Sequence, residues 1–536
     1  MKKILFATAI LGISLTSCDD FLEEENLSTE TAENFYTTAE GFESLVTANY
    51  SQLREIYGDE PWLFCAGTDM YAEGRDQEPV GLSQYLQLNS ASEGVGQLYS
   101  TCYRAIQIAN MALYYSELTE SFDQLNQYVG EVEYMRANAY FLLVQTYGGV
   151  GIVTDYIDSP VLSFDRNTAQ EVYDLVIADL QSAMNKVSSG AFSGRVTKRA
   201  VDHLLAKVYL ARAYESFGSS SDFQMAAQYA DEAIAGQGLN LSFQDLWSPG
   251  NELNEEVLFS VQYDAGSVSA DPFNLGNQQS FYFSSYLGGS EVAGDAPYRS
   301  FNLCPTDYTL ELYEQGDERW EATFMTEVFT RYYDYFDVDD HSSLTVVDFY
   351  EPKWFTELDK TAYIAAHPDV TYHEYGTYGA DDSTENYGTI PVKKFDDPSS
   401  PFGSGGVSTR DVVLSRLGDT YLIAAEAYFQ SGDVATALNR LNVVRERANA
   451  TPATTGDMSI GYILDERARE LLGEYHRWFD LKRTGTLIDR ASMYHYLIQA
   501  SNFDGANGEK KILRPIPQSA IDLNQNQDFP QNPAYN

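Results

Sequence analysis

The sequence predicts a mainly α-helical fold of tetratricopeptide-like repeats, three to four helix pairs, with a large loop-rich and aromatic-rich insertion. Three observations carry that prediction. Small residues and aromatics recur at tetratricopeptide spacing in separated parts of the chain. Helical periodicity fills about 41–240 and 406–490, and the stretch between, about 240–405, turns to Gly, Asp, Ser, Pro and aromatic residues.

In chain order, the first element is an export signal. Lys2 and Lys3 precede an apolar run at 4–15, and residues 15–18 read LTSC, a small-residue cleavage site ending in cysteine. The run is too short to span a bilayer core of roughly 30 Å, which takes about twenty helical residues. Cleavage before Cys18 leaves a cysteine that accepts acyl chains, so 1–17 is read as a lipoprotein signal peptide and Cys18 as the lipidated residue. Residues 18–40 form a polar leader with acidic groups at Asp19, Asp20 and 23–25.

Helices follow at 41–57, 98–118, 130–147, 168–187, 196–217 and 223–235, the third stopped by Gly148-Gly149. The clearest repeat unit is 419–449. Ala425, Tyr428, Ala437, Leu441 and Val444 stand at tetratricopeptide spacing around a Gly432-Asp433 turn. Ala206, Tyr209, Ala226, Ala230 and Ala233 repeat it, and Ala137 with Tyr140 repeats its first half. Small residues at these positions let two antiparallel helices approach closely.

In the insertion, thirteen of the fifty residues from 329 to 378 are aromatic, so some rings are expected to face a groove rather than the core. The segment 464–485 reads as one helix whose Glu470, Glu474, Arg477, Asp480 and Arg483 form a charge ladder. Each carboxylate has a cation within a turn, which lowers its pKa and suits structure better than acid/base catalysis. Residues 491–536 form a C-terminal tail, in which Pro515-Ile516-Pro517 reads as an extended segment and a helix cap.

Composition bounds the function. Net charge is −45, which repels nucleic acid and disfavours anionic substrates. Apolar content of 44% and charged content of 21% are those of a folded protein. With Cys18 acylated, Cys65, Cys102 and Cys304 form no spacing that reads as a disulfide framework or a metal site, and buried thiols are expected. No G-x-S-x-G elbow, P-loop, H-E-x-x-H pair or EF-hand loop occurs. His367, His373 and Glu374 lack metal-ligand spacing, as do Asp337, Asp339, Asp340, Asp381 and Asp382 for calcium.

Four stretches, in order along the chain, together resemble the SusD/RagB family of outer-membrane nutrient-binding lipoproteins. They are DFLEEENLSTETAENFYTT at 20–38, YMRANAYFLLVQTYGGVGIVTD at 134–155, RLGDTYLIAAEAYFQSGD with LDERARELLGEYHRWFDLKRTG at 416–433 and 464–485, and LRPIPQSAIDLNQNQDFPQNPAY at 513–535. The acidic run after Cys18 likewise resembles the surface-export signal of Bacteroidetes lipoproteins. The resemblance implies one domain over 41–536 and a non-enzymatic, cell-surface lipoprotein of the outer membrane. Such a protein captures a glycan for a SusC-like TonB-dependent transporter and needs no cofactor, though some members carry a structural calcium. Carried onto this chain, the binding loops give Asp69, Tyr71, Arg75 and Tyr85, then Tyr282, Tyr286 and Tyr298, then Trp354. A RagB-like peptide binder and a repeat scaffold without a small ligand remain the alternatives.

Overall fold

The computed structural model describes residues 31–58, 60–74, 79–266, 276–283, 303–380, 389–400 and 408–536. Of the longer helices, six precede the insertion: α1 (Ala39–Tyr57), α2 (Val95–Ser116), α3 (Leu125–Tyr147), α4 (Ala169–Met184), α5 (Lys198–Ala213) and α6 (Ser220–Ile234). One, α7 (Glu357–Ala366), lies inside it, and α8 (Leu417–Gln430), α9 (Val434–Arg447), α10 (Ile460–Glu470), α11 (Arg477–Arg483) and α12 (Leu487–Tyr494) follow. Local chemistry sets the starts. The Thr38 side chain accepts from the Gly41 N–H at α1, Thr168 and Glu171 close a capping box at α4, and Asp433 accepts from the Thr436 N–H at α9.

Each helix from α1 to α6 packs on the next, and α6 then packs directly on α8, so the repeat stack runs across the insertion. The small residues read from the sequence lie at these contacts: Ala137, Ala206, Ala226, Ala230, Ala233, Ala425 and Ala437 are all fully buried. A larger side chain at any of them would push two helices apart. Tyrosines tie neighbouring layers, with Tyr214 donating to Glu426 at 2.7 Å and Tyr428 to Asp231 at 2.7 Å. No helix among the described residues is long and apolar enough to cross a membrane.

The insertion holds more regular structure than its composition suggests. Strands β1 (Tyr71–Glu73) and β3 (Leu303–Pro305) pair antiparallel, as do β2 (Val257–Val261) and β7 (Val412–Arg416). Within it, β4 (Glu327–Phe329) pairs antiparallel with β5 (Val346–Tyr350), and β5 pairs parallel with β6 (Thr371–His373). The β2–β7 ribbon brings the two ends of the insertion together beside α5 and α8, so its excursion begins and ends at one place on the stack.

The 464–485 segment is not one helix. Between α10 and α11 the chain turns through Gly473 (φ 77°) and Tyr475 (φ 64°), and a Cβ on Gly473 would stand 2.3 Å from the Phe395 ring. The acidic groups therefore serve long-range links instead of an intrahelical ladder. Arg416 bonds Glu256 and Glu470, at 2.8 and 2.7 Å, and grips Glu474 through Nε and Nη2. Around it, Arg319, Arg445, Arg447, Arg469 and Lys394 complete a network with Asp317, Glu314 and Glu466. Cations and carboxylates are equal in number there, which is what makes so much buried charge tolerable. Burial alone would raise the Glu470 carboxyl, but Arg447, Arg416 and Arg319 bring it down to about 2. It is an anion at every working pH and no proton donor. Cys65, Cys102 and Cys304 are buried free thiols, as expected.

Candidate functional site

The aromatic-rich part of the insertion folds into a cleft of about 360 Å³. Its floor comes from β4 and β5, where Phe349 stands opposite Glu327 across the ladder. The turn at Pro352 and a capping box between Thr356 and Asp359 launch α7 over this sheet. That places Tyr363 face to face with Phe349, centroids 3.8 Å apart, with its hydroxyl donating to Glu327 Oε1 at 2.7 Å. Burial and Glu327 both raise the Tyr363 pKa, so the ring keeps its proton. Phe355 packs 5.4 Å from Phe349, and half-buried Trp354 meets Trp320 edge-on at 5.4 Å.

The opposite wall carries Glu321, Tyr335, His341 and Lys393. The Lys393 ammonium donates to the Tyr335 hydroxyl at 2.5 Å and sits 3.8 Å from the centre of that ring. Burial brings its pKa down to about 7, with Glu321 acting in the other direction. Because the unfolded chain holds this proton at 10.5, it binds protons more tightly than the folded one across that interval. Stability is thus expected to rise from about pH 7 towards pH 10. Lys393→Met should flatten the rise, measured by urea denaturation at pH 7 and 9.5; an unchanged difference between the two pH values would refute it.

The site residues expected from the sequence fall into three groups. Asp69, Tyr71 and Tyr85 are buried, and they tie the segments around them to the last repeats. The Asp69 carboxylate is bidentate to Arg477, at 2.7 and 2.6 Å, and takes the Arg490 Nε at 2.8 Å. Burial opposes its ionisation, but the two guanidiniums hold its pKa below the usual value. The Tyr71 hydroxyl accepts from the Gly473 N–H at 2.6 Å. The Tyr85 hydroxyl donates to the Gly67 carbonyl and accepts from Trp478 Nε1, while its ring stacks on Phe503 at 4.0 Å. Trp354 lines the cleft, whereas half-buried Tyr282, donating to Glu60 at 2.9 Å, does not. Arg75, Tyr286, Tyr298 and Cys18 lie outside the described residues.

Sequence reasoning missed Tyr335, Phe349, Phe355 and Tyr363, although all lie in the ring-dense stretch it singled out. Glu321, Glu327 and Lys393 gave no local signal. His373 pairs with Asp348 at 2.9 Å while Glu374 pairs with Lys360, so they do not converge. Among the described residues no group of three or more His, Cys, Asp or Glu side chains could hold a metal.

A second cleft, about 510 Å³, lies between α2, the 151–164 segment and the tail. Its polar groups are engaged internally: Tyr103 donates to the Gly151 carbonyl, Gln107 to that of Ile157 and Asn524 to that of Phe164. It offers mainly apolar surface, whereas the Trp354 cleft combines rings with carboxylates.

Comparison with known proteins gives this architecture a lineage. A family model described as "SusD family" matches residues 255–535, more than half of the chain. The chain belongs to the SusD family. A second SusD-like model, described as "Starch-binding associating with outer membrane", matches residues 20–210. A SusD-like protein of Bacteroides ovatus is 26% identical over 504 residues, covering 90% of this chain and 82% of that one. The starch-binding protein SusD of Bacteroides thetaiotaomicron is 22% identical over 419 residues, covering 76% and 72%. Among solved structures, a SusD homolog from Bacteroides thetaiotaomicron superposes with a TM-score of 0.72 at 21% identity, covering 95% of this chain and 99% of its own. A laminarin-binding SusD-like protein gives 0.70 at 22% identity, covering 93% and 100%. The SusD fold is thus shared over 93–95% of this chain, while side chains have diverged.

Proposed function

We propose that this SusD-family protein is a non-enzymatic, lipid-anchored protein of the outer cell surface that captures a glycan and delivers it to a TonB-dependent transporter. The observation that carries the reading is the Trp354 cleft. Its rings can stack on the apolar faces of sugars, and Glu321 and Glu327 stand beside them to accept hydroxyl hydrogen bonds. Its volume falls within the ordinary range for small-ligand sites, roughly 300–1,000 Å³. The relatives point the same way, since one is a starch-binding protein, one binds laminarin, and a further neighbour was solved with a xylogluco-oligosaccharide. The second family model, by its description, supports association with the outer membrane. No proton relay is needed, because capture and release break no bond.

Binding of the purified mature chain to arrays of glycans and of digested peptides tests the proposal. Glycan binding is the expected result. Peptide binding without a glycan signal would replace it with uptake of peptides, and no small ligand at all would favour a scaffold. Anchoring is tested separately: Cys18→Ala should leave the protein in the soluble fraction or in the wrong compartment, and unchanged membrane fractionation would refute acylation there.

A further inference from the structure

The charges that line the Trp354 cleft are unequal in kind and in reach. Glu321 is exposed, and its Oε2 has only a long contact, 3.5 Å, from the Thr326 hydroxyl. Glu327 gives Oε1 to Tyr363 and keeps Oε2 for another donor. The basic side chains are turned away. Lys393 is 6% exposed, with its amine held by Tyr335, and His341 directs Nε2 at the Tyr335 carbonyl at 2.8 Å. No arginine lines the cleft among the described residues. More carboxylates stand just beyond, with Glu351 accepting from Tyr372 and Glu357 and Asp359 opening α7.

Resting on the glycan-capture reading above, we infer that this cleft takes neutral glycans, and that Glu321 and Glu327 are the specificity-determining residues that turn away chains bearing uronate or sulfate groups. Neutral sugars present hydroxyl donors, which carboxylates accept well. Recognition of a carboxylate or sulfate instead calls for an arginine fork or an available lysine ammonium; no arginine lines this cleft among the described residues, and its lysine, Lys393, is held by Tyr335. A sugar carboxylate about 5 Å from two glutamates meets repulsion worth on the order of a tenfold to hundredfold loss of affinity at low salt, screened as salt rises.

The test uses the mature chain and matched ligands: laminarihexaose, maltohexaose and a xylogluco-oligosaccharide, each also as its C6-oxidised uronate form, at low ionic strength. At least one neutral ligand should bind, its oxidised form at least tenfold more weakly. That ratio should shrink severalfold in Glu321→Gln/Glu327→Gln. Should the double variant fold poorly, Glu321→Gln alone, at an exposed position away from the Tyr363 contact, should shift the ratio in the same direction. Equal affinity for a neutral ligand and its oxidised form, or a ratio unmoved by both variants, overturns the inference while the glycan reading stands. Failure of every neutral and oxidised ligand to bind overturns the glycan reading itself.

Discussion

Arg416→Met is expected to destabilise the protein by about 3–5 kcal/mol, the cost of leaving buried carboxylates without their partner. The guanidinium is 1% exposed and contacts Glu256, Glu470 and Glu474 at once, besides donating to the Glu470 carbonyl. Methionine keeps much of the volume but none of the charge, so the network acquires a surplus anion in a place water does not reach. Arg447 and Lys394 would still serve Glu470 and Glu474, which is why a large loss rather than complete unfolding is expected. Thermal and urea denaturation check it. Combining Arg416→Met with Glu474→Gln should recover part of the loss, because it restores the balance of charge. A single variant melting within a degree of the parent would mean that the network contributes little.

Trp354→Ala with Tyr363→Ala is expected to weaken glycan binding roughly a hundredfold, each ring contributing about 1–1.5 kcal/mol beyond the apolar area it covers. The substitutions are not silent for folding, since Trp354 rests on Trp320 and Tyr363 on Phe349. Both side chains are half-buried, so a loss of about 1–2 kcal/mol is expected, small beside the effect on binding. Calorimetric titration and a melting curve on the same variant separate the two effects. Tyr282→Phe, which removes the hydroxyl that meets Glu60, should leave binding unchanged because Tyr282 does not line the cleft. The opposite pattern, with binding lost in Tyr282→Phe and kept in the double variant, would move the site to the neighbourhood of Glu60.

What could be read from the sequence divides by the distance over which its cause acts. Ala425, Ala437 and the other small residues announce helix contacts through spacing alone, because the repeat is a local motif. The break between α10 and α11 escaped notice because the charges at Glu470, Glu474 and Arg477 satisfy helical spacing whether or not the helix continues. The one local sign was Gly473, whose φ of 77° fits a turn. Asp69 and Tyr85 enter through the family resemblance, and their burial has no local sign because their partners are remote. Arg477 lies 408 positions from Asp69, and Trp478 lies 393 from Tyr85. The density of rings between 329 and 378 signalled a cleft. Which rings face it depends on the β4–β5 pairing and on how α7 crosses it, and no spacing encodes that.

The direct packing of α6 on α8 has a consequence for biogenesis. As the chain emerges residue by residue, the exposed face of α6 waits for about 180 more residues before its neighbour exists. Closing a loop of that length costs roughly 4–5 kcal/mol in chain entropy by logarithmic scaling, before any contact repays it. Until then the end of α6 at Ile234, which clusters with Leu417, Tyr421 and Leu422 of α8, stays uncovered, and a nascent chain needs a holding factor or a rapid finish. Truncation anywhere before residue 417 would leave that end bare, so shortened forms should aggregate rather than persist as smaller working proteins.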